Sequence, residues 1–182
     1  MTIMGRMAIA ALALLWLGVE RGGADESAGL AAWAKVQSVL QHPRCLNCHQ
    51  ATSPLQGDNG KAHAPLVARG ADGTGTGGMR CAMCHKASND AMTGAPGAEH
   101  WRLAPASMTW QGLSPAALCA ALKDPKRNGG RDGAGLVHHM EVEPLVLWGW
   151  APGDGRAAVP LSHKVFVAQM RQWVANGMPC PK

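Results

Sequence analysis

The sequence predicts a mainly α chain, with short helices and long irregular loops wrapped around two groups that are not polypeptide. Three observations predict this. Helical spacing of apolar residues is confined to short segments toward the two ends. The stretch from Gln50 to Arg80 holds seven Gly and two Pro, few large apolar residues and no sustained period. Bracketing it are two five-residue stretches of one pattern, Cys45-Leu46-Asn47-Cys48-His49 and Cys81-Ala82-Met83-Cys84-His85.

Cys-x-x-Cys-His is the attachment signature of c-type haem. Cysteines three apart, with a histidine directly after, fall on one side of a single helical turn. Two thiols can then add to the two vinyl groups of one porphyrin, and the imidazole becomes the proximal iron ligand. Two covalently bound haem c groups are therefore expected, one on Cys45, Cys48 and His49, the other on Cys81, Cys84 and His85. About one shuffled chain of this composition in a hundred would hold a single match, and two together are far rarer. A zinc ribbon usually separates its Cys-x-x-Cys pairs by about 15–20 residues, whereas 32 lie between Cys48 and Cys81. A thioredoxin-like dithiol would sit near a βαβ pattern, and none is visible.

Haem attachment of this kind follows export. Arg6 precedes an apolar run from Ala8 to Val19, too short to span a bilayer and matched to the core of a secretory signal. Gly22-Gly23-Ala24 offers small residues for cleavage. Residues 1–24 are thus expected to be a signal peptide, and 25–182 a single di-haem cytochrome c domain in the periplasm. Glu20 and Arg21 are unusual before a cleavage site, and membrane association follows only if the segment is retained. A mature chain of 182 − 24 = 158 residues suits one domain. The formal charge of +5 falls to +4 when Arg6, Glu20 and Arg21 leave, and the lysines and arginines form no dense run. No nucleic-acid partner is expected. Six of the seven Trp lie in the mature chain, suited to porphyrin faces or to filling the core.

Asp25 to Gln41 reads as the first helix, capped by Asp25 or Ser27, with a stripe through Leu30, Trp33, Ala34, Gln37 and Leu40. His42-Pro43 ends it before the first motif. Gln50 to Arg80 reads as a wrapping loop, and a loop this long in a compact domain is usually functional. Ala87 to Gly112 is also loop-like, anchored by Trp101, Leu103, Met108 and Trp110. Ser114-Pro115 opens a helix that stops at Asp124-Pro125. Asp132 caps a short helix on which Leu136, His139 and Met140 share a face. Leu145 to Trp150 is an apolar segment of undecided form. Ser162 caps the last helix, with Phe166, Met170, Trp173 and Val174 as its stripe and Asn176-Gly177 at its end. Cys119 and Cys180 are the cysteines left over, and in an oxidising compartment an even pair is expected to form a disulfide. The alternative is two buried free thiols.

Each iron also needs a sixth ligand unless its site is open. His63 lies in the loop between the motifs, where a histidine has few other roles, and can fold over either haem. His139 lies on an apolar helix face, where a histidine is ordinarily core, but two haems weaken that expectation. His63 and His139 are the favoured distal ligands. Met108, Met140, His42, His100 and His138 remain alternatives. A methionine ligand would raise the potential relative to a second histidine.

Several stretches carry a family resemblance. His42-Pro43-Arg44-Cys45-Leu46-Asn47-Cys48-His49, Pro54-Leu55-Gln56-Gly57-Asp58, His63-Ala64-Pro65-Leu66-Val67, Arg69-Gly70 and Leu103-Ala104-Pro105 are among them. So are Trp110, Leu118-Cys119, Leu122-Lys123-Asp124, Asn128-Gly129-Gly130-Arg131, His139-Met140 and Trp148-Gly149-Trp150. Together they resemble small bacterial proteins named as isoquinoline 1-oxidoreductase subunits. That resemblance implies a haem partner for a molybdenum hydroxylase, passing electrons towards the respiratory chain. A weaker likeness, in the layout of a histidine before the second motif, is to the di-haem small subunit of periplasmic nitrate reductase, and it implies bis-histidine ligation. The expected function is electron relay with no chemistry on a substrate. The alternative is a di-haem enzyme, a peroxidase or an oxidase, with one open iron site.

Overall fold

The computed structural model describes residues 25–182, so the expected signal peptide lies outside the described residues. The described chain is mainly helical. In order it forms α1 (Glu26–Leu40), α2 (Pro43–Leu46), α3 (Pro115–Lys123), α4 (Gly133–Val142), α5 (Pro144–Leu147) and α6 (His163–Ala175). Between α2 and α3 lie two small antiparallel pairs: β1 (Leu55–Gln56) with β2 (Lys61–Ala62), and β3 (Gly75–Thr76) with β4 (Met79–Arg80).

The helix starts follow from side-chain caps, which satisfy amide groups that have no partner inside the helix. The Asp25 carboxylate accepts from Ala28 N at 3.0 Å, Ser114 Oγ from Ala117 N at 3.2 Å, Asp132 from Gly135 N at 2.7 Å and Ser162 Oγ from Val165 N at 3.3 Å. Leu145 to Trp150, of undecided form in the sequence, is α5 running into a 3-10 turn, Trp148–Trp150. The buried face of α1 is Gly29, Ala32, Trp33, Val36, Val39 and Leu40. That is a rotation of the expected stripe: Ala34 is exposed, and Val36 and Val39 carry the burial instead. The polar Gln37 in the expected stripe was the sign, since positions 29, 32, 33, 36, 39 and 40 keep helical spacing without a polar residue.

A single hydrophobic cluster joins α1, α3, α4 and α6, together with Met108, Trp110 and Val159. Trp33 of α1 and Trp173 of α6 meet at 4.9 Å between ring centroids. Cys119 of α3 is bridged to Cys180, and Lys123 Nζ donates to Met178 O at 2.8 Å, so the tail is fastened to α3. The middle of the chain contributes little to this core. Between residues 50 and 102, Val67 and Ala98 are the only buried hydrophobic side chains. Its order comes from polar fastenings. Arg69 donates to Ala51 O at 3.1 Å, to Ala104 O at 2.7 Å and to Gln50 O. Among the described residues no helix is long and apolar enough to cross a membrane.

Candidate functional site

The two Cys-x-x-Cys-His stretches close the same turn. The His49 amide donates to Cys45 O at 3.1 Å, and the His85 amide to Cys81 O at 2.9 Å. The first turn grows from α2, where His42 caps and Pro43 supplies a preset φ; the second is a 3-10 turn, Cys81–Met83. Each stretch thus sets two thiols and an imidazole on one turn. None of the four thiols is in a disulfide. Burial pushes the Cys45 thiol up to about 12 and Cys48 up to about 11, and raises Cys81 as well. Cys48 and Cys81 line one common cavity, so the two turns are neighbours.

The histidines of both motifs are held from behind in one manner. His49 Nδ1 lies 2.7 Å from Met108 O, and His85 Nδ1 lies 2.6 Å from Pro96 O. A carbonyl only accepts, so the proton is on Nδ1 and Nε2 keeps its lone pair. Trp110 stacks on His49 at 3.2 Å and 11°, and Trp101 stacks on His85 at 4.4 Å and 10°. Burial pushes His49 down to about 3, against the opposing bond from Met108. Burial likewise lowers His85, with the Pro96 carbonyl opposing. Both imidazoles are therefore neutral at neutral pH, the form that ligates a metal.

Two cavities open in front of them. The first, about 520 Å³, is lined by Cys45, Cys48 and His49 and by His139 and Met140 of α4. Burial lowers His139 from its ordinary value, with Arg131 adding to the effect. The second, about 820 Å³, is lined by Cys81, Cys84 and His85 and by His63, Trp101 and Trp148. His63 Nδ1 lies 2.8 Å from Pro65 O, so this ring too is held through Nδ1. The His63 and His85 rings lie 6.0 Å apart between centroids, at 63°. Two metal–nitrogen bonds of about 2 Å, plus about 1 Å from each nitrogen to its ring centre, give roughly 6 Å for two imidazoles sharing one metal. Arg44, Cys48, Arg102 and Leu103 line both cavities.

The donor set can be tested against haem. Both volumes lie in the range of about 300–1,000 Å³ usual for organic ligands. His49, His63 and His85 make no Nε2 hydrogen bond among the described residues. Arg44, Arg69, Arg102 and Arg131 face the first cavity against Asp72 and Glu143, an excess of cations suited to propionates. No group of three or more His, Cys, Asp or Glu converges to hold a bare metal ion among the described residues. A porphyrin supplies four of the six iron ligands itself, so it asks two side chains of the protein and not a cluster. The residues fit two haem groups, and a four-thiolate zinc site finds no converging set.

The expected distal candidates therefore separate, His139 joining His49 in the first cavity and His63 joining His85 in the second. Met140 shares the first cavity with His139. Met108 stands on the proximal side, its carbonyl on His49. His42 accepts from Arg44 N at 3.3 Å and is spent as a cap, His100 pairs with Glu143 at 2.9 Å at the first cavity, and His138 is exposed. The sequence did not single out the ring-stacking role of Trp101 and Trp110, nor any part in the site for Arg44 and Arg69. A signal for the tryptophans was present. Each ends a Pro-x-x-x-x-Trp stretch, Pro96 to Trp101 and Pro105 to Trp110. No protein-family model, curated protein or solved structure matches the chain.

Proposed function

We propose that this chain is a periplasmic di-haem c-type cytochrome that relays single electrons between a redox enzyme and the respiratory chain. One observation carries the reading: each cavity sets a Cys-x-x-Cys-His histidine together with a second histidine, His49 with His139 and His85 with His63. Bound haem would supply one-electron ferric–ferrous chemistry, and the protein would set potential, spacing and docking surface. Cys45 and Cys48, and Cys81 and Cys84, are the thiols for covalent attachment. The Met108 and Pro96 carbonyls hold the proximal rings in the ligating tautomer, as outer-shell partners of metal-bound histidines commonly do. Trp110 and Trp101 fix the ring planes. His49 with His139, and His85 with His63, would hold each iron and would leave a substrate no place on it, which favours relay over catalysis. The family resemblance supports a molybdenum hydroxylase as the redox enzyme, and the N-terminal segment supports export.

Expression with c-type haem maturation tests this. The pyridine haemochrome assay should count two haems per chain, and EPR of the ferric protein should show two low-spin signals. One high-spin haem that binds cyanide or peroxide would instead indicate a di-haem enzyme, and absence of haem would remove the cofactor reading. Copurification of the native protein should recover the partner.

A further inference from the structure

Arg44 precedes the first cysteine of the first motif, at the start of α2. It is 7% exposed, and its side chain only 3%. A guanidinium is not deprotonated in proteins, so this is a fixed charge taken out of water. It is held from three sides. Arg44 Nε donates to Ala157 O at 2.7 Å, Ala157 N donates to Asp58 Oδ2 at 3.2 Å, and Asp58 closes the ring as the ion-pair partner of Arg44. Its guanidinium carbon lies 5.5 Å from the centre of the Trp148 ring. Arg44 lines both cavities. Asp58 lines the second cavity alone and is about half exposed.

We infer that Arg44 is a positioning charge shared by the two centres, one that raises the reduction potential of both together. This rests on the di-haem reading. Each site becomes less positive by one unit when it gains an electron. A buried cation on the common wall disfavours the more positive, oxidised state at both sites. Arg102 also faces both cavities, but it is exposed, and solvent and salt screen an exposed charge far more than a buried one. One guanidinium thereby keeps two potentials in step, a useful property where electrons pass between adjacent centres.

The test is spectroelectrochemical titration of the purified, haem-loaded protein and its variants. Arg44→Gln should lower both midpoints, each by about tenfold in its reduction equilibrium, or ~59 mV for a one-electron couple. Arg44→Lys should largely restore them, Asp58→Asn should raise both, and Arg102→Gln should move neither by as much as Arg44→Gln. A merely structural role would make the Lys and Gln variants alike, and it would leave the first midpoint unmoved by Asp58→Asn, since Asp58 lines the second cavity alone. If Arg44→Gln does not mature, the sign of the Asp58→Asn shift decides. The inference is overturned if Asp58→Asn leaves both midpoints unmoved, or if Arg44→Gln moves only one. A haem count other than two would defeat the di-haem reading itself, and the parent protein reports that separately.

Discussion

His63 and His139 line different cavities, and on the proposed reading this makes their removal diagnostic. His63 belongs with His85, 6.0 Å away across the second cavity. His139 belongs with His49 in the first. His63→Ala should therefore turn the second haem high-spin and leave the first low-spin, and His139→Ala should do the reverse. EPR of each ferric variant, set against a variant that lacks the second centre, checks both sign and site. If neither substitution produces a high-spin signal, the assignment fails, and Met140 becomes the first candidate for the first centre because it shares that cavity. Met108 is a weaker replacement, since its carbonyl already holds the proximal side of His49. The two proximal sites also differ in depth. Trp110 is 1% exposed behind His49, whereas Trp101 behind His85 is only partly buried.

The elements behind the ligands matter through close backbone packing. Gly97 follows Pro96, whose carbonyl holds His85, and a Cβ there would lie 2.1 Å from Ser88 O and 2.6 Å from Lys86 O. Backbone oxygens cannot swing aside, so Gly97→Ala must displace Pro96 from His85. Its expected effect is a shifted second-centre EPR signal with an unchanged first, and equal perturbation of both would refute this. Farther off, the Cys119–Cys180 bridge spans a sequence separation of 61. Replacing both cysteines with Ala should cost at most about 4 kcal/mol in the chain-entropy picture, read from urea midpoints. Such elements differ in how far the sequence disclosed them. Ser114, Asp132 and Ser162 were legible as caps because capping is chemistry within four residues. The attachment turns were legible for the same reason. The β1–β2 and β3–β4 pairs were not, since two-residue strands have no period to detect. Nor was the partner of His63, which depends on how a loop without a core of its own closes.

At the scale of the molecule the two cavities stand in unlike surroundings. The first cavity is walled by core residues such as Leu40, Leu122 and Phe166, all 1% exposed or less. The second is rimmed by Met79 and Met83, at 37% and 59% exposure, and by the exposed Cys84. The helical core shapes the first site, but residues 50–102, which line much of the second, bury only Val67 and Ala98 among their hydrophobic side chains. On the proposed di-haem reading, that segment would depend on the second haem for apolar contact more than the haem would depend on it. Removing the second centre with Cys81→Ala, Cys84→Ala and His85→Ala together should expose the segment to protease, since cleavage needs local opening. Trypsin should cut at the exposed Lys61, Arg80 and Lys86 much faster than in the parent protein. The unit of α1, α3, α4 and α6, closed by the Cys119–Cys180 bridge, should stay resistant and keep the first low-spin haem. Peptide mapping against time distinguishes this from general unfolding, in which cuts at Lys35, Lys123 and Arg171 would appear at the same rate. A middle segment as resistant as the parent's would mean that its polar fastenings at Arg69 and the two strand pairs suffice without the haem.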